Sequence, residues 1–144
     1  MSNREDWCWL AGIFEGEGTA ALRFNKGRWA TSPRRAYVYA AVSQTNEEML
    51  REVQRIVGYG KIYTTKPKFA HYKMQWTWYV SCRQARQFLN SILPFMRSPH
   101  KRDQVICALA EDIKARAEGT KARRDNLRLC SSKRWEAYRH AKIS

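Results

Sequence analysis

Leu10-Ala11-Gly12-Ile13-Phe14-Glu15-Gly16-Glu17-Gly18 is the stretch that decides how this chain folds. The run from Asp6 to about Gly16, DWCWLAGIFEG, has the apolar content and glycine stop of a short helix. The period then changes at once. Ala20, Leu22 and Phe24 alternate with Thr19, Ala21, Arg23 and Asn25, the two-residue repeat of a half-buried strand. Within the helix Ala11, Gly12 and Gly16 are small, and Gly12 and Gly16 lie one turn apart. Such a strip lets a second helix backbone approach closely; alternatively, the glycines only end the helix. Glu15 and Glu17 fall at the helix C-terminus, where a negative side chain opposes the macrodipole by about 0.3–1 kcal/mol unless positive charge sits nearby. A divalent cation such as Mg²⁺ would supply that charge, and so would a neighbouring Lys or Arg.

Outward from this stretch the pattern repeats. Arg35 to Ser43 reads as a second strand, with Ala36, Val38, Ala40 and Val42 inward and Arg35, Tyr37, Tyr39 and Ala41 outward. Thr45 and Glu48 have capping-box spacing, followed by Met49, Leu50, Val53, Ile56 and Val57 at helical spacing and a stop at Gly58. Lys61 to Thr65 and about Tyr72 to Val80 read as two further strands around the basic turn Lys66-Pro67-Lys68. In the second of them Met74, Trp76, Trp78 and Val80 face the core, and Lys73, Gln75 and Thr77 face outward. Ser81 leads a helix carrying Ala85, Phe88, Leu89, Ile92 and Leu93 on one face. Ser98-Pro99 begins another, with Val105, Ile106, Leu109 and Ile113 as its apolar side. The tail is basic, with a short helix expected around Trp135 and Tyr138. The expected fold is α+β: a four-stranded antiparallel sheet with helices on one face and the other face left for a ligand. Residues 1–118 form one domain and 119–144 a basic C-terminal extension.

Charge narrows the partner. The 144 residues hold 27 Lys+Arg against 13 Asp+Glu, a net charge of +14. No acid occurs from Gly18 to Asn46 or from Val53 to Arg102. Basic residues interleaved with tyrosines along strands favour a phosphate backbone over a small-molecule substrate. No run of 18 apolar residues suggests a membrane span, and the polar start lacks the apolar core of a secretory signal. Cys8, Cys82, Cys107 and Cys130 have no metal-ligand spacing and read as reduced, mostly buried thiols in an intracellular compartment.

Leu10 to Gly18, LAGIFEGEG, closely resembles the signature of the LAGLIDADG homing endonucleases, and the order of elements resembles that family's αββαββα core. The resemblance covers roughly Trp7 to Ile113. It implies that motif helices pack side by side, with the final acid of each motif binding Mg²⁺ at a scissile phosphate. Mn²⁺ would substitute, and Ca²⁺ would support binding without cleavage. That acid corresponds to Glu17. Gln44 matches a polar position beside the metal and its water, and Lys101 a lysine near the active site. His100 and Arg97 compete for the latter role, and Pro99 departs from the pattern where a basic residue is common. A single motif implies a homodimer, with Trp9, Ala11, Gly12, Phe14, Glu15 and Gly16 at its interface and a roughly palindromic duplex DNA target.

On this reading Arg23, Asn25, Arg35, Tyr37, Tyr39, Tyr63, Thr65, Lys73, Gln75 and Thr77 face the bases. Lys26, Arg28, Arg34, Lys66 and Lys68, in loops, contact phosphates. Two alternatives keep the same fold: a DNA-binding regulator without cleavage, and an intron maturase that binds RNA through exposed tyrosines.

Overall fold

The first helix begins where its cap is built. Asn3 accepts the Asp6 N–H at 2.8 Å while the Asp6 carboxylate accepts the Asn3 N–H at 3.1 Å, a reciprocal capping box. In the computed structural model, which describes residues 3–25 and 35–143 (side chains only to residue 121), this helix is α1, Arg4–Glu17. There follow β1 (Gly18–Asn25), β2 (Arg35–Gln44), α2 (Glu47–Val57), β3 (Lys61–Thr65), β4 (Gln75–Ser81), α3 (Cys82–Ile92), a 3-10 turn (Leu93–Phe95) and α4 (Pro99–Ile143). Lys26, Arg28 and Arg34 lie outside the described residues.

The four strands form one antiparallel sheet in the order β1-β2-β4-β3. Its register sets the faces. Gly18 pairs with Val42, Ala20 with Ala40, Val42 with Trp78, and Ile62 with Trp78, so these side chains point to the helical layer. There Val38, Ala40, Val42, Trp78 and Val80 meet Leu10 and Phe14 of α1, Leu50 and Val53 of α2, Phe88, Leu89 and Ile92 of α3, and Val105 and Ala108 of α4. Phe88 centres this packing, edge-on to Phe14 (5.8 Å between centroids) and to Trp78 (4.8 Å). The Trp78 indole N–H donates to the Tyr59 carbonyl at 3.1 Å, so burying the indole leaves no orphaned donor. Gly18 makes the α1–β1 junction possible: a Cβ there would overlap the Phe14 ring and carbonyl. Helices on one face of a four-stranded antiparallel sheet are the α+β architecture expected.

Several local expectations are corrected. Asn46, not Thr45, caps α2, accepting from the N–H groups of Glu48 (3.0 Å) and Met49 (3.4 Å); an Asn side chain reaches both donors. Strand β4 starts at Gln75, which leaves Lys73 and Met74 in the preceding loop, Met74 exposed. Phe24 is exposed too, because β1 runs past the edge of the helical layer. On α4 the buried line is Val105, Ala108 and Asp112, while Ile106 and Ile113 face outward. Asp112 takes a core position because Arg86 of α3 (3.3 Å) and Arg116 (3.0 Å) both donate to one of its oxygens. Cys8, Cys82 and Cys107 are exposed rather than buried. Helix α4 continues through Gly119 to Ile143 as one element: beyond Pro99 the chain has no proline and one glycine, and a lone glycine costs a helix only about 1 kcal/mol.

Candidate acidic site and nucleic-acid interface

The two motif carboxylates separate in structure. Glu15 turns inward across the end of α1 and accepts the backbone N–H groups of Arg97 and Ser98, the latter at 2.7 Å. Ser98 sits at the N-cap of α4, its carbonyl accepting the Arg102 N–H at 2.9 Å, and Pro99 occupies the first helical position. A carboxylate here faces the positive end of the α4 dipole, which offsets its poor position at the negative end of α1. Glu17, the last residue of α1, is exposed and enters none of the ion pairs formed among the described residues. The last turn of α1 holds no basic residue.

Lys101 comes to the same junction. Its ammonium donates to the Gly18 carbonyl, one residue beyond Glu17, so a cation stands at the motif although 83 positions separate the two in sequence. Gln44 is the last residue of β2, two residues past the Gly18–Val42 pair and hence roughly 7 Å beyond the point where β1 begins. Its side-chain oxygen accepts the Thr45 N–H at 2.9 Å, which fixes the amide at the turn into α2. His100 and Arg97 are exposed at the start of α4, and neither takes the contact that Lys101 makes.

Among the described residues no group of three or more His, Cys, Asp and Glu side chains could cage a metal ion. The chemistry present suits a different kind of site. A single exposed carboxylate is a hard oxygen donor, and Mg²⁺ commonly takes one or two carboxylates and completes its shell with waters and phosphate oxygens. One chain therefore supplies a fitting but incomplete donor set.

The other face of the sheet carries Arg23 of β1, Tyr37 and Tyr39 of β2, Tyr79 and Thr77 of β4 and Tyr63 of β3. They form one connected layer. The Arg23 guanidinium lies over the Tyr39 ring at 4.3 Å and within 5.7 Å of the Tyr79 ring. Tyr39 and Tyr79 stack at 5.7 Å, and Tyr63 meets Tyr79 edge-on at 6.3 Å. Ser43 and Thr77 share a hydroxyl hydrogen bond of 2.9 Å. Burial, then hydrogen bonding to Tyr37, pushes the Tyr79 phenol up to about 12. Tyr79 and Lys61 had not been expected at this face; the two-residue alternation continued from Gln75 and Thr77, and from Tyr63 and Thr65, places both there.

Of the residues expected at a helix–helix interface, Gly12 and Gly16 are exposed, and a Cβ built on either would meet nothing within 4 Å. Trp9 is 40% exposed beside them. Ala11 and Phe14 are instead fully buried in the chain's own core, because they lie on the opposite side of the helix against β2 and α3.

No protein-family model matches the sequence, and no curated protein sequence matches it. Solved structures do. The homing endonuclease I-CvuI in complex with its target, with Ca²⁺ present, is similar at 22% identity and a TM-score of 0.63, over 78% of this chain and 71% of that one. The archaeal intron-encoded homing endonuclease I-Vdi141I, complexed with DNA, shares 20% identity at a TM-score of 0.55, over 81% of this chain and 83% of that one. The LAGLIDADG meganuclease I-CpaMI, bound to uncleaved DNA, shares 18% identity at 0.57, over 78% of this chain and 39% of that larger one. The chain has the fold that these homing endonucleases share.

Proposed function

We propose that the chain is a LAGLIDADG endonuclease that acts as a homodimer, cutting both strands of duplex DNA at a roughly palindromic site with Mg²⁺. The observation that carries this reading is Glu17: an exposed carboxylate at the end of α1 that enters no ion pair among the described residues, next to the Gly18 carbonyl that Lys101 holds and at the margin of a basic, acid-free sheet face. A regulator or structural RNA binder gives no reason for that carboxylate. The DNA-bound states of the similar structures support a duplex partner.

Phosphodiester hydrolysis needs an in-line water, neutralisation of charge on phosphorus oxygens and help for the leaving 3′ oxygen. The metal, when bound, supplies a more acidic water and a charge clamp. Glu17 would hold it in each copy, with waters and phosphate oxygens supplying the remaining donors. Gln44 orients the water through its amide, and Lys101 adds positive charge beside the reacting phosphate while holding the Gly18 carbonyl. The arrangement contains no Ser/His/Asp or Cys/His set for a covalent route among the residues assigned to it.

The dimer rests on Gly12 and Gly16. Each costs an exposed helix about 1 kcal/mol relative to Ala, and nothing among the described residues needs the glycines. A second helix backbone at close range does need them.

The test is selection of cleaved duplexes from a randomised library with Mg²⁺, and of bound duplexes with Ca²⁺. The wild type should yield one roughly palindromic sequence in both arms, and Glu17→Gln only in the Ca²⁺ arm. Equal cutting by Glu17→Gln overturns the assignment of the site.

A further inference from the structure

The loop between β3 and β4 reads Lys66-Pro67-Lys68-Phe69-Ala70-His71-Tyr72-Lys73-Met74. Its turn closes on itself, with the Tyr72 N–H donating to the Phe69 carbonyl at 3.1 Å. Three rings gather there. His71 and Tyr72 lie 4.5 Å apart, Phe69 and Tyr72 5.6 Å, and Phe69 and His71 5.7 Å with ring planes 21° apart. The cluster is nevertheless wet: Phe69 is 56% and Tyr72 57% exposed. Rings that meet at a loop tip and still show more than half their surface bury little apolar area within the chain, which leaves that area for a partner.

The surroundings say which partner. Lys66, Lys68 and Lys73 border the cluster and, with Thr65, Gln75 and Tyr72, line an open cleft of about 420 Å³. Thr65 and Gln75 are cross-strand neighbours on the tyrosine-bearing face, so the tip is continuous with that face. No acid occurs from Val53 to Arg102. Lysines suit phosphates; exposed flat rings suit the faces of bases.

We propose that Phe69 and Tyr72 form a wedge that inserts at a base step of duplex DNA while Lys66 and Lys68 hold the flanking phosphates, unwinding and kinking the duplex there. The proposal rests on the reading of the chain as a DNA-binding protein. Apolar side chains inserted at base steps kink duplexes by roughly 20–90°, and the unstacking they impose is offset by the surface the bent duplex brings into contact. Because Phe69 and Tyr72 already pack against each other edge-on, with ring planes 66° apart, less side-chain freedom is lost on insertion.

Unwinding can be read without knowing the target. A closed circular plasmid is relaxed by a metal-independent topoisomerase in the presence of excess full-length protein and chelator, and its linking number is measured after the protein is removed. Binding is measured in parallel on a linear fragment of the same plasmid. The wild type should bind and lower the linking number. The double variant Phe69→Ser, Tyr72→Ser should bind within about threefold of wild type yet lose roughly half or more of the shift per bound chain. Lys66→Gln, Lys68→Gln should weaken binding and keep the shift per bound chain. The single variant Phe69→Gln, which leaves the Tyr72 turn in place, tests the wedge even where the double variant does not fold. A full shift in the ring variants, or wild-type binding without any shift, overturns the wedge and leaves DNA binding standing. Absence of plasmid binding at low salt overturns both.

Discussion

The Glu15 carboxylate accepts the Ser98 backbone N–H at 2.7 Å, tying the C-terminus of α1 to the N-terminus of α4 across 83 positions of sequence. Two carboxylates two residues apart thus have opposite duties. Glu15 is held by the fold, and Glu17 is left to solvent. Glu15→Ala should lower unfolding stability by about 1–2 kcal/mol, the cost of a lost cap with charge-assisted hydrogen bonds. Glu17→Gln should leave the unfolding free energy within about 0.5 kcal/mol of wild type, as an exposed substitution does. Chemical denaturation of the two variants side by side reads the difference.

The motif glycines divide in the same way. Gly18→Ala pushes a methyl group into Phe14 and should cost about 2–3 kcal/mol or prevent folding, an overpacking effect. Gly12→Ala and Gly16→Ala meet open space in the chain, so each should raise monomer stability by up to about 1 kcal/mol through helix propensity. Both should weaken association. Sedimentation with and without DNA checks the second effect and thermal melting the first.

Arg23 is placed by rings rather than by acids, lying over Tyr39 with Tyr79 behind it. Arg23→Ala should relax base preference at one position in each half-site, by about 1–3 kcal/mol of discrimination. Lys66→Ala should weaken binding to all sequences alike and reduce the dependence of affinity on salt by about one counterion. Binding titrations against base-substituted duplexes at several salt concentrations separate them.

Tyr79 links this face to pH. Its phenol, raised to about 12 chiefly by burial, keeps its proton in the folded state after the unfolded chain has lost its own near 10. A raised folded value contributes stability that is complete below pH 10 and disappears as pH climbs toward 12. Base-induced unfolding should therefore steepen in that window, and Tyr79→Phe should lessen the steepening. Tyrosinate absorbance followed alongside circular dichroism makes the measurement.

Asp112 pins α3 to α4 through Arg86 and Arg116, and its second carboxylate oxygen is buried without a partner among the described residues. Asp112→Ala removes the shared anion between two partly exposed cations and should cost about 1–3 kcal/mol. Asp112→Asn keeps the shape and one acceptor and should cost less. Urea unfolding of both variants gives the order.

The sheet was legible because its alternation is strict: Val38, Ala40 and Val42 are all buried as the two-residue period requires. The same period misplaced Phe24 and Met74, since alternation gives the face of a strand but not where the helices covering it end. Val105 was readable as core, whereas Asp112 was not, because its burial depends on Arg86, 26 residues away on another helix. The resemblance separated Glu17, for the metal, from Glu15, for the interface, but Glu15's partners stayed hidden for the same reason: they are backbone groups of Arg97 and Ser98, which no local pattern connects to the motif. Lys101 was placed near the motif by resemblance, and the structure supplies the contact, a hydrogen bond to Gly18.

Strand β2 spans ten residues, Arg35–Gln44. At about 3.4 Å per residue it is close to 34 Å long, the rise of roughly ten base pairs. Side chains on its outer face recur every second residue, or about every two base pairs, so no single strand can inspect each step of a groove. Full coverage requires neighbouring strands offset across it, as Arg23, Tyr39, Tyr79 and Tyr63 are on four different strands. A chain built this way would tolerate substitutions in its target unevenly, strictly at some steps and loosely at the ones between, over about one turn of duplex per copy.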